Sequence, residues 1–119
     1  MYENCLSGTI PKELGLLSEI TELDFATNYL TGIIPPEVFD TTKLDLLYFK
    51  YKELTGTLPE EVGKTENLTY LSLGDNKLHG AIPDSLYKLT KLEYLWVGQN
   101  LFSSGLSIHI GKLQNLLAL

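Results

Sequence analysis

Arginine is absent from this chain: all nine basic residues are lysines, set against fifteen carboxylates for a formal net charge of −6. Phosphate and base-edge recognition lean on the planar, bidentate guanidinium, so an acidic chain without one is a poor nucleic-acid binder. Cysteine occurs once, at Cys5, which leaves no internal disulfide framework and mildly disfavours an oxidising compartment. No apolar run approaches the length a membrane-spanning helix needs. Residues 1–20 carry no secretory signal pattern, a fact that a leader lying outside the segment would leave unchanged. Chemistry-bearing motifs are missing as well. His79 and His109 have no cysteine or paired carboxylate at metal-ligand spacing, and Asp75 and Asp84 fall on different sides of any repeat. There is no Gly-x-Ser-x-Gly elbow and no glycine-rich phosphate loop. Neither catalysis nor a cofactor or metal is expected.

What the chain has instead is a repeated phrase. Leu6-Ser7-Gly8-Thr9-Ile10-Pro11 returns at steps of 24 residues as Leu30-Thr31-Gly32-Ile33-Ile34-Pro35, Leu54-Thr55-Gly56-Thr57-Leu58-Pro59 and Leu78-His79-Gly80-Ala81-Ile82-Pro83. A fifth copy, Phe102-Ser103-Ser104-Gly105-Leu106-Ser107, keeps the register without the proline. A fixed period of this size specifies a stacked array, and stacked repeats work through an extended face. Apolar columns run in the same register: Ile20, Leu44, Leu68 and Leu92; Leu23, Leu47, Leu71 and Leu95; Phe25, Phe49, Leu73 and Val97.

Each column has a physical role. Alternation at Leu23-Asp24-Phe25, Leu71-Ser72-Leu73 and Leu95-Trp96-Val97 is the period-2 mark of a short strand, so each repeat should add one parallel strand. A buried bend must follow, and asparagine can both donate and accept there. Asn4, Asn28, Asn76 and Asn100 are the expected hydrogen-bonded ladder, broken at Lys52, whose donor-only amine should turn outward beside Glu53 or Glu61. The glycines at 8, 32, 56 and 80 permit left-handed or crowded backbone, and the prolines at 11, 35, 59 and 83 set φ for the return path. That return carries Leu14, Val38, Val62, Leu86 and Ile110 inward and has room for only a turn or two of helix, mainly 3₁₀. His79 reads as a turn residue.

These columns resemble the leucine-rich repeat family, in the form whose consensus is LxxLxLxxNxLxGxIPxxLxxL. The resemblance covers nearly the whole chain and implies an α/β repeat fold: a right-handed leucine-rich-repeat solenoid with a parallel concave sheet and a short 3₁₀, helical or irregular convex side. Residues 1–119 then form a single domain, with a partial repeat at 1–19, repeats at 20–43, 44–67, 68–91 and 92–115, and the start of another at 116–119. Met1 and Leu119 both fall mid-strand and neither end has a polar cap. The expectation is a segment of a longer array, or else a small protein that caps itself by self-association.

The outward strand positions form the concave face, where the family usually binds its partners. Glu22, Leu46, Tyr70 and Tyr94 make one column, Asp24, Tyr48, Ser72 and Trp96 a second, and Thr27, Tyr51, Asp75 and Gln99 a third. Carboxylates dominate the early repeats and aromatics the later ones. Tyrosine and tryptophan bring rigid area with a polar tip, which suits recognition, although cross-strand aromatic pairs also stabilise a sheet. The candidate partner-binding residues are Glu22, Asp24, Tyr48, Tyr51, Tyr70, Asp75, Tyr94 and Trp96. Asn67-Leu68-Thr69 matches the N-glycosylation acceptor pattern. The variant repeat looks most like the ectodomains of plant-type receptor-like proteins and receptor kinases. That implies extracellular recognition of a protein, peptide or carbohydrate partner. A secreted inhibitor of cell-wall-degrading enzymes shares the repeat form, and the unpaired Cys5 keeps an intracellular scaffold open. No kinase motif of VAIK, HRD or DFG type occurs.

Overall fold

A computed structural model describes residues 7–25, 29–49, 53–103, 111–113 and 116, and in it each period of the sequence becomes one turn of a solenoid. Four strands, β2 (Glu22–Asp24), β4 (Leu46–Tyr48), β6 (Tyr70–Ser72) and β8 (Tyr94–Trp96), pair in parallel in that order. Their register sets Glu22, Leu46, Tyr70 and Tyr94 abreast, and likewise Asp24, Tyr48, Ser72 and Trp96. Between them Leu23, Leu47, Leu71 and Leu95 point inward and are buried.

The expectation of one strand per repeat is corrected. A second set of short parallel strands follows each bend: β1 (Ser7–Thr9), β3 (Tyr29–Gly32), β5 (Glu53–Leu54), β7 (His79–Gly80) and β9 (Leu101–Phe102). β1, β3 and β5 form one sheet and β7 and β9 another, with a parallel bridge from Thr57 to His79 between them. His79 is therefore a strand residue rather than a turn residue. Its N–H donates to the Gly56 carbonyl at 2.9 Å, as that of Thr55 does to Gly32 at 2.8 Å.

The glycines explain how this second sheet closes. Gly8, Gly32, Gly56 and Gly80 all have positive φ, between 79° and 107°. A Cβ on Gly32, Gly56 or Gly80 would lie 3.0, 2.8 or 3.0 Å from the γ2 methyl of Thr9, Ile33 or Thr57 respectively. Each β-branched residue thus lays its methyl over the glycine of the next repeat.

Prolines 11, 35, 59 and 83 are extended, with φ between −76° and −64°, and each launches a 3₁₀ turn: Lys12–Leu16, Pro36–Asp40, Glu60–Lys64 and Asp84–Lys88. Leu14, Val38, Val62 and Leu86 point inward from these turns; Ile110 lies outside the described residues. Thr41 and Thr65 are fully buried, and their hydroxyls donate to the carbonyls of Val38 and Val62 at 2.5 and 2.7 Å. In this way the turn ends are satisfied without solvent. One column of the turns alternates glycine with a buried aromatic: Gly15, Phe39, Gly63, Tyr87. A Cβ on Gly15 would meet the Glu37 carbonyl oxygen at 2.2 Å, and one on Gly63 would meet Ser85 at 2.8 Å. Glycine there admits the neighbouring turn's backbone, while Phe39 and Tyr87 fill the core of the intervening repeats.

The bend after each concave strand is held by asparagine. Asn76 donates through Nδ2 to the carbonyls of Phe49, Leu73 and Gly74 at 2.8, 2.9 and 3.0 Å, and its Oδ1 accepts from the Leu54 N–H at 3.2 Å. Asn100 repeats the set with Leu73, Val97 and Gly98 as acceptors and Leu78 as donor. Each side chain ties its own bend to the previous repeat's backbone rather than bonding to the next asparagine. Asn4, Asn28 and Lys52 lie outside the described residues. Glu53, one expected neighbour of Lys52, is bridged by Lys77 at 2.8 Å.

One repeat earlier, the same geometry would have position 52 accept from the Leu30 N–H and donate to the Phe25 carbonyl. Lysine can supply the second contact but has no acceptor for the first. The variant Lys52→Asn is expected to stabilise the array by about 1 kcal/mol, the net worth of a restored hydrogen bond. Thermal unfolding followed by circular dichroism should shift upward by roughly 2–8 °C; an unchanged or lower midpoint would show that this bend is closed by other means.

Candidate partner-binding face

Regular strand register turns a sequence column into a surface rank. Glu22 is exposed and Asp24 half-buried on β2, while Tyr48, Tyr70, Tyr94 and Trp96 are half-buried on β4, β6 and β8. The structure brings the three tyrosines together. Tyr70 and Tyr94, register partners, stack with ring centroids 4.4 Å apart and planes 7° from parallel. Tyr48, two positions along its strand, stacks on Tyr70 at 6.3 Å and 22°. The result is a row of rings across three strands, each pair adding about 0.5–1.5 kcal/mol beyond area burial. The same side chains therefore stabilise the sheet and present rigid aromatic area on its outward face.

Trp96 departs from this row. Its indole occupies the space that a side chain at position 74 would take: a Cβ on Gly74 would fall 1.9 Å from Nε1 and 2.0 Å from Cδ1. The six-membered ring reaches toward Gly98, where a Cβ would stand 3.3 Å from Cζ2. Neither glycine has the positive φ that would explain it as a backbone requirement; at Gly74 the requirement is room for the indole. The outward residue between Tyr48 and Trp96 is Ser72, which is fully buried, with no hydrogen-bond partner for its hydroxyl. Gly74 and the burial of Ser72 escaped the sequence argument, although glycines at 74 and 98 in a column holding Ala26 and Lys50 were a visible signal.

Asp75 is placed differently from its expected position on the strand face. It lies past β6 in the bend, in left-handed conformation at φ 58°, as does Gln99 at 56°. Its N–H donates to the Gly98 carbonyl at 3.0 Å. Aspartate tolerates this conformation better than most residues, which gives the residue a backbone role beside any contact with a partner. Tyr51 and Thr27 lie outside the described residues.

The lateral edge where chains enter the concave strands carries polar pairs that join neighbouring repeats. Lys43 bridges Glu19 at 2.7 Å and Lys64 bridges Asp40 at 3.1 Å. Such exposed pairs contribute at most about 1 kcal/mol each. Asn67, exposed on this edge, donates to the Thr42 carbonyl at 3.3 Å and accepts from Lys91 Nζ at 2.8 Å. Among the described residues no group of three or more His, Cys, Asp or Glu side chains could hold a metal ion, and no helix is long and apolar enough to cross a membrane.

Known proteins supply the context for this geometry. A family model described as Leucine Rich Repeat matches residues 19–40 and 67–89. The leucine-rich repeat receptor-like serine/threonine-protein kinase RGI4 of Arabidopsis thaliana is 59% identical over 34 residues, which are 29% of this chain and 3% of that protein. Among solved structures, the plant peptide hormone receptor RGFR1 in complex with RGF2 superposes with a TM-score of 0.95 at 34% identity, over 100% of this chain and 19% of that one. The Arabidopsis receptor kinase HAESA, solved with the peptide hormone IDA and the co-receptor SERK1, gives 0.93 at 34% identity, over 100% and 20%. The chain thus spans a small part of each of these relatives.

Proposed function

Since the chain is a leucine-rich-repeat solenoid of the plant 24-residue type, we propose that it is a non-catalytic recognition module. Its concave face would hold a protein or peptide partner, as part of a receptor-like ectodomain at the cell surface. The observation that carries this proposal is the aromatic row of Tyr48, Tyr70 and Tyr94, together with Trp96 of β8, whose indole lies apart from the row over Gly74. Rigid aromatics with polar tips clustered on one face are characteristic of binding hot spots. RGFR1 and HAESA were each crystallised with a peptide hormone, which agrees with a peptide as the class of partner. A carbohydrate is less well served, because Tyr70 and Tyr94 stack on each other and so cover ring faces that a sugar would need.

The test is selection of random dodecapeptides displayed on phage against the immobilised chain. Wild type is expected to enrich a recurrent motif. The triple variant Tyr70→Ala, Tyr94→Ala, Trp96→Ala is expected to lose at least tenfold in affinity for the selected peptides, while its far-ultraviolet circular dichroism stays that of the wild type. Retention of affinity in the triple variant would move the binding surface off this face. Loss of fold with loss of binding would assign the row to sheet stability instead.

A further inference from the structure

From the placement of the triplet Asn67-Leu68-Thr69 we infer that Asn67 carries an N-linked oligosaccharide, which closes one lateral edge of the solenoid. The inference rests on the proposed passage of the chain to the cell surface. The triplet is the sole Asn-x-Ser/Thr sequence in the chain. Asn67 is exposed and lies in the bend between the 3₁₀ turn Glu60–Lys64 and β6. Its amide oxygen is held by the Lys91 ammonium at 2.8 Å, and its nitrogen donates to the Thr42 carbonyl at 3.3 Å. That nitrogen has two hydrogens and the bond to Thr42 uses one. Replacing the other by a sugar leaves a donor for Thr42 and leaves the acceptor of the Lys91 contact untouched.

The transfer balances with a lipid-diphosphate-linked oligosaccharide as donor. Asn67 Nδ2 forms a bond to the anomeric carbon, the carbon–oxygen bond to the diphosphate breaks, and the lipid diphosphate leaves. The proton lost from the amide passes to a base of the transferase. No oxidation change occurs.

The fold adds a constraint that the triplet alone does not contain. The Thr69 hydroxyl, required by the acceptor pattern, donates to the Asp45 carboxylate of the preceding repeat. Once these repeats have stacked, that hydroxyl is engaged, so transfer competes with folding and has to precede the docking of β6 on β4. The position also divides the surface. All four concave strands run the same way, so a glycan at 67 crowds the edge where they begin. The far edge, beyond the asparagine bends, stays open. There Ile33, just past β3, and Leu101 of β9 are exposed, at 58% and 66% of their full areas. A partner that overlaps the concave face therefore has its free approach from the side of β7 and β9.

The experiment directs the full chain through a eukaryotic secretory pathway with an added leader, so its outcome does not depend on where the chain naturally resides. Wild type is expected to gain the mass of one glycan, removed by an N-glycosidase and absent from both Asn67→Gln and Thr69→Ala. Asp45→Asn, which weakens the hold on Thr69, is expected to raise the glycosylated fraction where wild type is partly occupied. A wild type that emerges unmodified overturns the inference, and so does a glycan that persists in Asn67→Gln. The glycan state of the protein from its native cell tests the cell-surface reading separately: a chain modified under the added leader but bare in its own cell would sink the localisation and leave the acceptor site standing.

Discussion

Replacing Asn76 by leucine, a side chain of similar size without hydrogen-bonding groups, is expected to destabilise the chain by about 3–5 kcal/mol. The estimate follows from what the substitution strands. Asn76 is buried and serves three carbonyls and one N–H, belonging to Phe49, Leu73, Gly74 and Leu54. A buried polar group left without its partner costs about 1–3 kcal/mol, and the lost contacts lie in two adjacent repeats. Carbonyls retain a second lone pair and part of their solvation, whereas the Leu54 N–H has a single hydrogen to place, so the donor carries most of the penalty. Because each repeat is stabilised by its neighbours, damage at this junction spreads beyond one turn. Chemical denaturation should show a midpoint well below that of wild type. Asn76→Asp separates the two halves of the effect: a carboxylate still accepts from Leu54 but cannot donate to the carbonyls. If Asn76→Leu unfolds at the wild-type midpoint, the bend is held by strand pairing and the asparagine is incidental.

Asn76 and Asn100 were legible in the sequence as members of one column, and so were the leucine columns, because residues spaced at the fixed step face the same environment in the described turns. What each amide bonds to was not legible. Half of the partners, Phe49 and Leu54 for Asn76, lie in the preceding repeat at distances fixed by the pitch of the coil, which no single-repeat pattern encodes. The second set of strands was missed for a different reason. Leu-Thr-Gly and Leu-His-Gly segments are too short for alternation to register, and glycine with positive φ reads as a turn. Only the lateral stacking of repeats supplies hydrogen-bond partners that make them strands. On the candidate face, the outward columns predicted which side chains would be neighbours, and the register places Tyr70 beside Tyr94. The position of Trp96 over Gly74 depends on its rotamer, which the columns leave open. Asp75 shows the limit of column counting: strand alternation ends with Ser72, and the chain has already entered the bend when it reaches this residue.

Gly56→Ala carries the other large effect, through two terms that add at one atom. At φ 81° an L-residue sits in the left-handed region, which costs about 1–2 kcal/mol. The new Cβ would also stand 2.8 Å from the γ2 methyl of Ile33, closer than carbon atoms approach, and overpacking of that kind costs about 1–3 kcal/mol. Together they predict a loss of about 2–5 kcal/mol, read as a fall in the denaturant midpoint. Gly8→Ala isolates the first term, since φ there is 107° but nothing lies within 4 Å of a built Cβ. The double variant Ile33→Ala with Gly56→Ala isolates the second, because removing the methyl removes the clash while the backbone strain stays. Ile33 is more than half exposed, so its own truncation is inexpensive and the cycle is interpretable. A positive coupling, with the double variant more stable than the sum of the single losses implies, is the expected result. Additive losses would mean that the second sheet accepts the extra carbon by sliding, and that methyl-over-glycine packing does not set the spacing of its strands.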